Sequence, residues 1–312
     1  MSVYRNALPQ LGDQLFLLDG GMETTLIYLD GLELPHFAAF DLLSTREGEE
    51  KLEAYYLPFV ELARRSRRGL ILESPTWRAS PDWAEKLGYS LDELDDLNRK
   101  SIGLLERIRE RYQTAGTPMV ISGCLGPRGD GYVPNQGMGV NEARDYHQRQ
   151  VDVFAGSAAD MVAALTMNTI EEATGIVLAA QAASIPVVIS FTTETDGRLP
   201  CGVSLAEAIE AVDAATDTGP IYYMINCAHP DHFTPALTEE PWTRRVRGIR
   251  ANASRKSHEE LDRSTELDAG DPSELGAQYA QLRERFSHLN VLGGCCGTDI
   301  RHIESIAGHC AH

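Results

Sequence analysis

The chain has 312 residues and a formal net charge of −18, and 43% of it is hydrophobic. That composition is enough for a sizeable core and fits either two domains or one large barrel. No apolar run approaches the roughly 18 residues of a membrane span and no basic stripe is present, so neither a membrane partner nor nucleic acid is expected. The opening Met1-Ser2-Val3-Tyr4-Arg5-Asn6 has no signal-peptide core. A cytoplasmic location follows as the expectation, with the six cysteines read as reduced thiols suited to a metal rather than as a disulfide scaffold.

The first strand is predicted over 15–18 and runs into Asp19-Gly20-Gly21-Met22-Glu23-Thr24-Thr25. A carboxylate at a strand end before two glycines can face a polar ligand, although Asp-Gly is equally an ordinary turn. A helix over 50–65 leads to a strand over 69–73, followed by Ser74-Pro75-Thr76-Trp77-Arg78-Ala79-Ser80. Trp77 could face a donor cation through its ring, or simply pack beneath a loop. A helix over 91–112 and a strand over 118–123 come next. The glycine-rich stretch 124–140 is too long for a simple connection and reads as a lid or binding loop, and its glycines do not fit the dinucleotide fingerprint.

Further on, the pattern predicts a helix over 141–156, a strand over 161–165, a helix over 170–183 and a strand over 186–191. A polar loop over 192–198 and a helix over 205–216 lead to the strand that ends at Asn226-Cys227. A strand over 247–251, a charged loop over 252–271, a helix over 272–286, a strand over 289–292 and a last helix from 300 complete the chain. Eight strand–helix units without repeat or linker predict an α/β protein, a (β/α)8 TIM barrel occupying 1–312 as a single domain. The carboxyl ends of the strands then gather Asp19, the 74–78 loop, Cys227, Cys295 and Cys296 on one face.

The most specific stretch is Leu289-Asn290-Val291-Leu292-Gly293-Gly294-Cys295-Cys296-Gly297-Thr298-Asp299, a strand that delivers two thiols to a helix start. Adjacent Cα atoms lie about 3.8 Å apart, below the roughly 4.4 Å at which disulfides begin, so these neighbours are poorly placed to pair with each other. A shared metal is the better reading, and flanking glycines leave room for something to approach the sulfurs. Catalytic zinc takes three protein ligands and leaves a fourth place open. Cys227 is the first candidate for the third ligand and Cys124 the alternative. His229 and His232 read as residues near a helix start rather than ligands.

Zinc with three thiolates carries a net charge of about −1, which suits water activation poorly and a fourth thiol well. Such a site holds the incoming thiol as a nucleophilic thiolate at neutral pH, so S-alkylation of a small-molecule thiol is the predicted chemistry.

Asp19-Gly20-Gly21-Met22, the 73–80 segment, Gly123-Cys124-Leu125-Gly126-Pro127, Ile225-Asn226-Cys227 and Gly293-Gly294-Cys295-Cys296-Gly297 together resemble the homocysteine S-methyltransferase family. The resemblance runs in order along nearly the whole chain. It implies a Zn2+-dependent barrel that methylates homocysteine, or a related thiol or selenol, to give methionine. It also implies Cys227, Cys295 and Cys296 as metal ligands and Asp19 as the partner of the substrate amino group. Thr76, Trp77, Arg78 and Asn226 join Asp19 as candidate substrate-binding residues, and the family's methyl donors include S-methylmethionine, S-adenosylmethionine, betaine and methylfolate. Two positions depart from the family pattern. Leu165-Thr166 stands where many members have Glu-Thr, and Arg78 stands where betaine users have Tyr and most others Gly. A cation there repels a cationic donor unless a carboxylate such as Glu194 or Glu73 pairs with it.

Two other functional classes remain on the sequence alone. One is a non-catalytic zinc or redox sensor that releases metal on thiol oxidation. The other is a zinc hydrolase, disfavoured because no general base stands beside the cysteines.

Overall fold

The computed structural model describes residues 1–134 and 137–311, apart from the side chain of residue 262. Eight strands are named in chain order: β1 Phe16–Leu17, β2 Gly69–Glu73, β3 Met119–Leu125, β4 Met161–Met167, β5 Val187–Phe191, β6 Tyr222–Asn226, β7 Val246–Ala251 and β8 Val291–Gly294. They close into one barrel in sequence order. Phe16 closes it, in parallel register with Gly69 of β2 on one side and Val291 of β8 on the other. The (β/α)8 barrel expected from the sequence is the observed fold.

Six of the seven crossovers carry a long helix, and a further helix, Ile300–His309, follows β8. The helix Leu91–Tyr112 begins at Ser90 and the helix Leu205–Thr216 at Ser204, each with a reciprocal Ser–Glu cap that satisfies orphan N–H groups. The crossover from β6 to β7 differs from the expected repeat. It is built of short turns at Pro230–Phe233, Thr234–Ala236 and Pro241–Arg245, because three prolines within a dozen residues remove the donors a longer helix needs.

Strand alternation sorts the side chains into two cores. Leu17, Leu70, Leu72, Ile121, Ile189 and Leu292 pack outward among the helices. Phe16, Ile71, Val120, Met161, Tyr222 and Val291 fill the barrel interior. Followed upward with the same parity, the inward positions become polar: Glu73 above Ile71, Ser122 above Val120, Asn226 above Met224 and Arg250 above Gly248. β3 runs past its predicted end, so Cys124 is an inward strand residue rather than the first residue of a loop. Among the described residues, no helix is long and apolar enough to cross a membrane.

The opposite mouth is fastened by Asp160, which is fully buried. It accepts hydrogen bonds from the Val3 and Tyr4 amides, from Arg109 Nη1, each at 2.7 Å, and from the Ile121 amide at 2.9 Å. Removing one partner of such a pair strands a buried charge. Asp160→Ala is therefore expected to lower unfolding free energy by about 3–5 kcal/mol, read by chemical denaturation, while a loss below about 1 kcal/mol would contradict this role.

Candidate functional site

Cys227 follows the last residue of β6, and Cys295 and Cys296 follow the last residue of β8. The three sulfurs all lie within 4.8 Å of one another. Cys227 sits in the left-handed region at φ 54°, a conformation that costs a non-glycine residue energy and persists only where neighbours impose it. Here the Cys227 amide donates to the Arg250 carbonyl at 3.1 Å, and the Cys227 carbonyl lies 2.7 Å from His258 Nε2. On the other strand, a Cβ at Gly21 would collide with the Cys295 carbonyl, so glycine is what lets the loop after β1 approach the cysteine turn.

The thiols are not all free, as the sequence reading had them. Cys227 and Cys295 are joined as a disulfide, with Cα atoms 5.4 Å apart, and Cys296 remains unpaired. The physical reason is the convergence itself: three sulfurs held close enough to share a metal are close enough for two of them to bond. Adjacent Cys295 and Cys296 do not pair, as backbone spacing predicts. Three soft sulfur donors from two strand ends, within one ion's reach, fit zinc in the reduced state. Burial pushes the Cys296 thiol up to about 11, although the Tyr132 hydroxyl 3.9 Å away opposes this, so a cation is needed to hold it as thiolate.

Asn226 aligns this end of the barrel. Its Oδ1 accepts from the Thr166 amide at 2.8 Å and from Ser190 Oγ at 2.6 Å, while its Nδ2 donates to Thr166 Oγ1 at 2.8 Å and reaches Cys295 Sγ at 3.9 Å. Thr166 Oγ1 in turn lies 3.8 Å from Cys227 Sγ. Asn226 thus ties β4, β5 and β6 beneath the sulfurs.

A cavity of about 260 Å³ opens beside the cysteines, and Asp19, Trp77, Arg78 and Asn226 stand on its wall. Thr76 does not. Its hydroxyl is buried, 2.6 Å from Ser74 Oγ, and donates to the Cys124 carbonyl at 2.7 Å. Asp19 is occupied too, accepting from Arg250 Nη2 at 2.7 Å and from the Tyr55 hydroxyl at 3.0 Å. Trp77 is fixed by its indole N–H, which donates to the Leu165 carbonyl at 3.2 Å.

Arg78 lies over the rings of Trp77 and Trp83, 4.7 and 3.7 Å from their centroids. Its Nε has no hydrogen-bond partner, and no ion pair to Arg78 occurs among the described residues. Burial lowers its pKa, and Asp130 and Glu23 act against that from a distance. Neither anticipated partner reaches it: Glu194 lies 3.4 Å from His258, and Glu73 makes no ion pair.

Three residues that sequence reading did not single out shape the cavity. Arg250 is one, and its signal was a charged residue at the inward parity of β7. Glu23 is another, its carboxyl raised to about 6 by burial, with its own backbone N–H pulling the other way. Tyr132 comes from the long loop and stacks on His258 of the charged loop, ring centroids 3.9 Å apart. The two loops expected to cover this face therefore meet above the cysteines, although Asn135 and Gln136 of the first lie outside the described residues. His229 and His232 point elsewhere, the first capping the Pro230–Phe233 turn and the second facing the Arg255 carbonyl.

Glu73 is 3% exposed and neither carboxylate oxygen has a hydrogen-bond partner among the described residues. Burial raises its pKa to about 7, with Arg250 and the Ser122 hydroxyl drawing it down less strongly. Its ordinary pKa is 4.5, so the folded chain holds this proton more tightly than the unfolded one. The stability this gives is full below pH ~4.5 and is lost as pH rises through ~7. Glu73→Gln cannot ionise and is expected to gain up to about 3 kcal/mol over wild type between pH 5 and 8, from 1.36 kcal/mol per pKa unit. Paired denaturation curves at the two pH values check this, and a difference independent of pH would contradict it.

The sequence model of the homocysteine S-methyltransferase family matches residues 16–310. Homocysteine S-methyltransferase 3 of Arabidopsis thaliana is 26% identical over 246 residues, covering 70% of each chain. Selenocysteine Se-methyltransferase of Brassica oleracea var. italica is 25% identical over 315 residues, covering 93% of this chain and 87% of that one. Among solved structures, the oxidized form of the homocysteine methyltransferase MmuM from Escherichia coli superposes with a TM-score of 0.76 at 20% identity, covering 97% and 98% of the two chains. Its metallated form gives 0.73 over the same shares.

Proposed function

Because this chain belongs to the homocysteine S-methyltransferase family, we propose that it moves a methyl group from a small-molecule donor to the thiol of homocysteine, or of a related thiol or selenol. Cys227, Cys295 and Cys296 are the residues that hold zinc in this reading. The observation that carries it is the convergence of three thiols from two strand ends beside a cavity large enough for a small amino acid.

Zinc, when bound, lets a substrate thiol stand as a nucleophilic thiolate at neutral pH. The chain's own residues do the rest. Asn226 and Thr166 fix the sulfurs through the β4–β6 network. Tyr132 and His258 close over them and exclude water, which would otherwise solvate the nucleophile. The acceptor sulfur bonds to the methyl carbon as the donor's bond to that carbon breaks, and the thiol proton passes to solvent. Arg78 sets the charge at the donor side, where Glu23 and Asp130 are its nearest counterweights.

The Cys227–Cys295 disulfide supports a second reading, a thiol protein that senses zinc or redox state. Such a sensor needs no pocket for a small thiol, so specific homocysteine binding counts against it.

Under reducing conditions, Cys295→Ser is expected to lower bound zinc from about one equivalent to near zero and methyl transfer by at least roughly a hundredfold. Metal analysis alongside methionine formation from homocysteine measures both. A zinc-replete, fully active variant would remove the thiol cluster from the mechanism.

A further inference from the structure

The cavity wall holds a side chain whose charge lacks a close counterpart. Glu73 ends β2, points inward with the parity of Ile71 below it, and keeps both oxygens without a partner although only 3% of the residue is exposed. Leaving a carboxylate buried and unmatched costs several kcal/mol unless something arrives to match it. The neighbouring Ser122 hydroxyl, which interacts with Glu73, is fully buried and makes no other hydrogen bond among the described residues. Fold maintenance explains neither.

The other carboxylates fit the task less well. Asp19, which the family resemblance nominates for the substrate amino group, already has one oxygen on Arg250 and the other on Tyr55. Leu165 also lines the cavity and offers no charge. Glu23 is only half-buried and its carboxylate is held by its own backbone N–H. Arg250 does not neutralise Glu73 by contact, since its bonds go to Asp19, the Gly20 carbonyl and the Gly294 carbonyl.

We propose that Glu73, assisted by the Ser122 hydroxyl, receives the ammonium group of the thiol acceptor and so selects α-amino acid thiols over thiols that lack the amine. An ammonium group has three donors, two of which match the carboxylate oxygens, with Ser122 beside the carboxylate on β3. The inference rests on the methyl-transfer reading for the identity of the acceptor, but the recognition itself is a binding event that precedes any transfer.

The test uses the zinc-loaded, reduced protein and calorimetric titration with homocysteine and with 4-sulfanylbutanoate, which keeps the thiol and carboxylate and lacks the amine. Wild type is expected to prefer homocysteine by roughly 10- to 100-fold, the worth of a charge-assisted hydrogen-bond pair. Glu73→Gln should erase most of that preference by weakening homocysteine alone, with 4-sulfanylbutanoate changed less than about threefold and kcat at saturating homocysteine nearly kept. Ser122→Ala should reduce the preference by a smaller factor, and it gives an independent reading should Glu73→Gln fold poorly. Equal loss for both thiols, or an unaltered preference in both variants, would overturn the assignment alone. Wild type binding neither thiol would overturn it together with the transfer reading.

Discussion

The guanidinium of Arg250 is the tie on which this end of the barrel depends. It is almost fully buried, and it bonds to Asp19 and the Gly20 carbonyl after β1 and to the Gly294 carbonyl that closes β8. Its own carbonyl accepts the Cys227 amide. One side chain thus joins the strand ends on both sides of the seam where β8 meets β1, directly behind the cysteines. A charge in that position is tolerable only because Asp19 compensates it and the carbonyls satisfy its donors. Against the cost of burial, Asp19 and Glu73 hold its pKa above the ordinary arginine value, so it stays charged at any working pH.

From that tie follow the thiol positions. Gly21 lets the first loop lie against the Cys295 turn, the Gly21 amide donates to the Thr298 carbonyl at 3.0 Å, and the Gly297 amide donates to Thr24 Oγ1 at 3.2 Å. The cysteine turn is therefore held against the loop after β1, and Cys227 faces it in a left-handed conformation. A metal site and a disulfide are two uses of this convergence. Reduction frees three sulfurs for a cation, whereas oxidation spends two of them on each other.

Much of this was legible in the sequence because the barrel's grammar is local. Each strand is a short apolar run, most of the long helices show a side-chain cap, and a pair of cysteines between glycines at a strand end has few other uses. The β6–β7 crossover broke the expected repeat, and its prolines explain why. What sequence could not convey was side-chain occupancy. Asp19 looked available and is engaged twice. Thr76 sits in a motif that faces the site, yet its hydroxyl turns back to the Cys124 carbonyl. Arg250 looked like an ordinary charge in a strand and Glu73 like a partner for Arg78 until the alternation of β7 and β2 placed both inside the barrel, and pairing across a closed sheet is information that no linear spacing contains.

The claim at the centre is that these three sulfurs hold zinc and leave room for the acceptor's thiol. Zinc-edge X-ray absorption on the reduced protein, before and after homocysteine is added, tests it most directly. The account predicts a shell of three sulfurs that becomes four with homocysteine. A shell that stays at three sulfurs, or a protein that takes up no zinc when reduced, would contradict it.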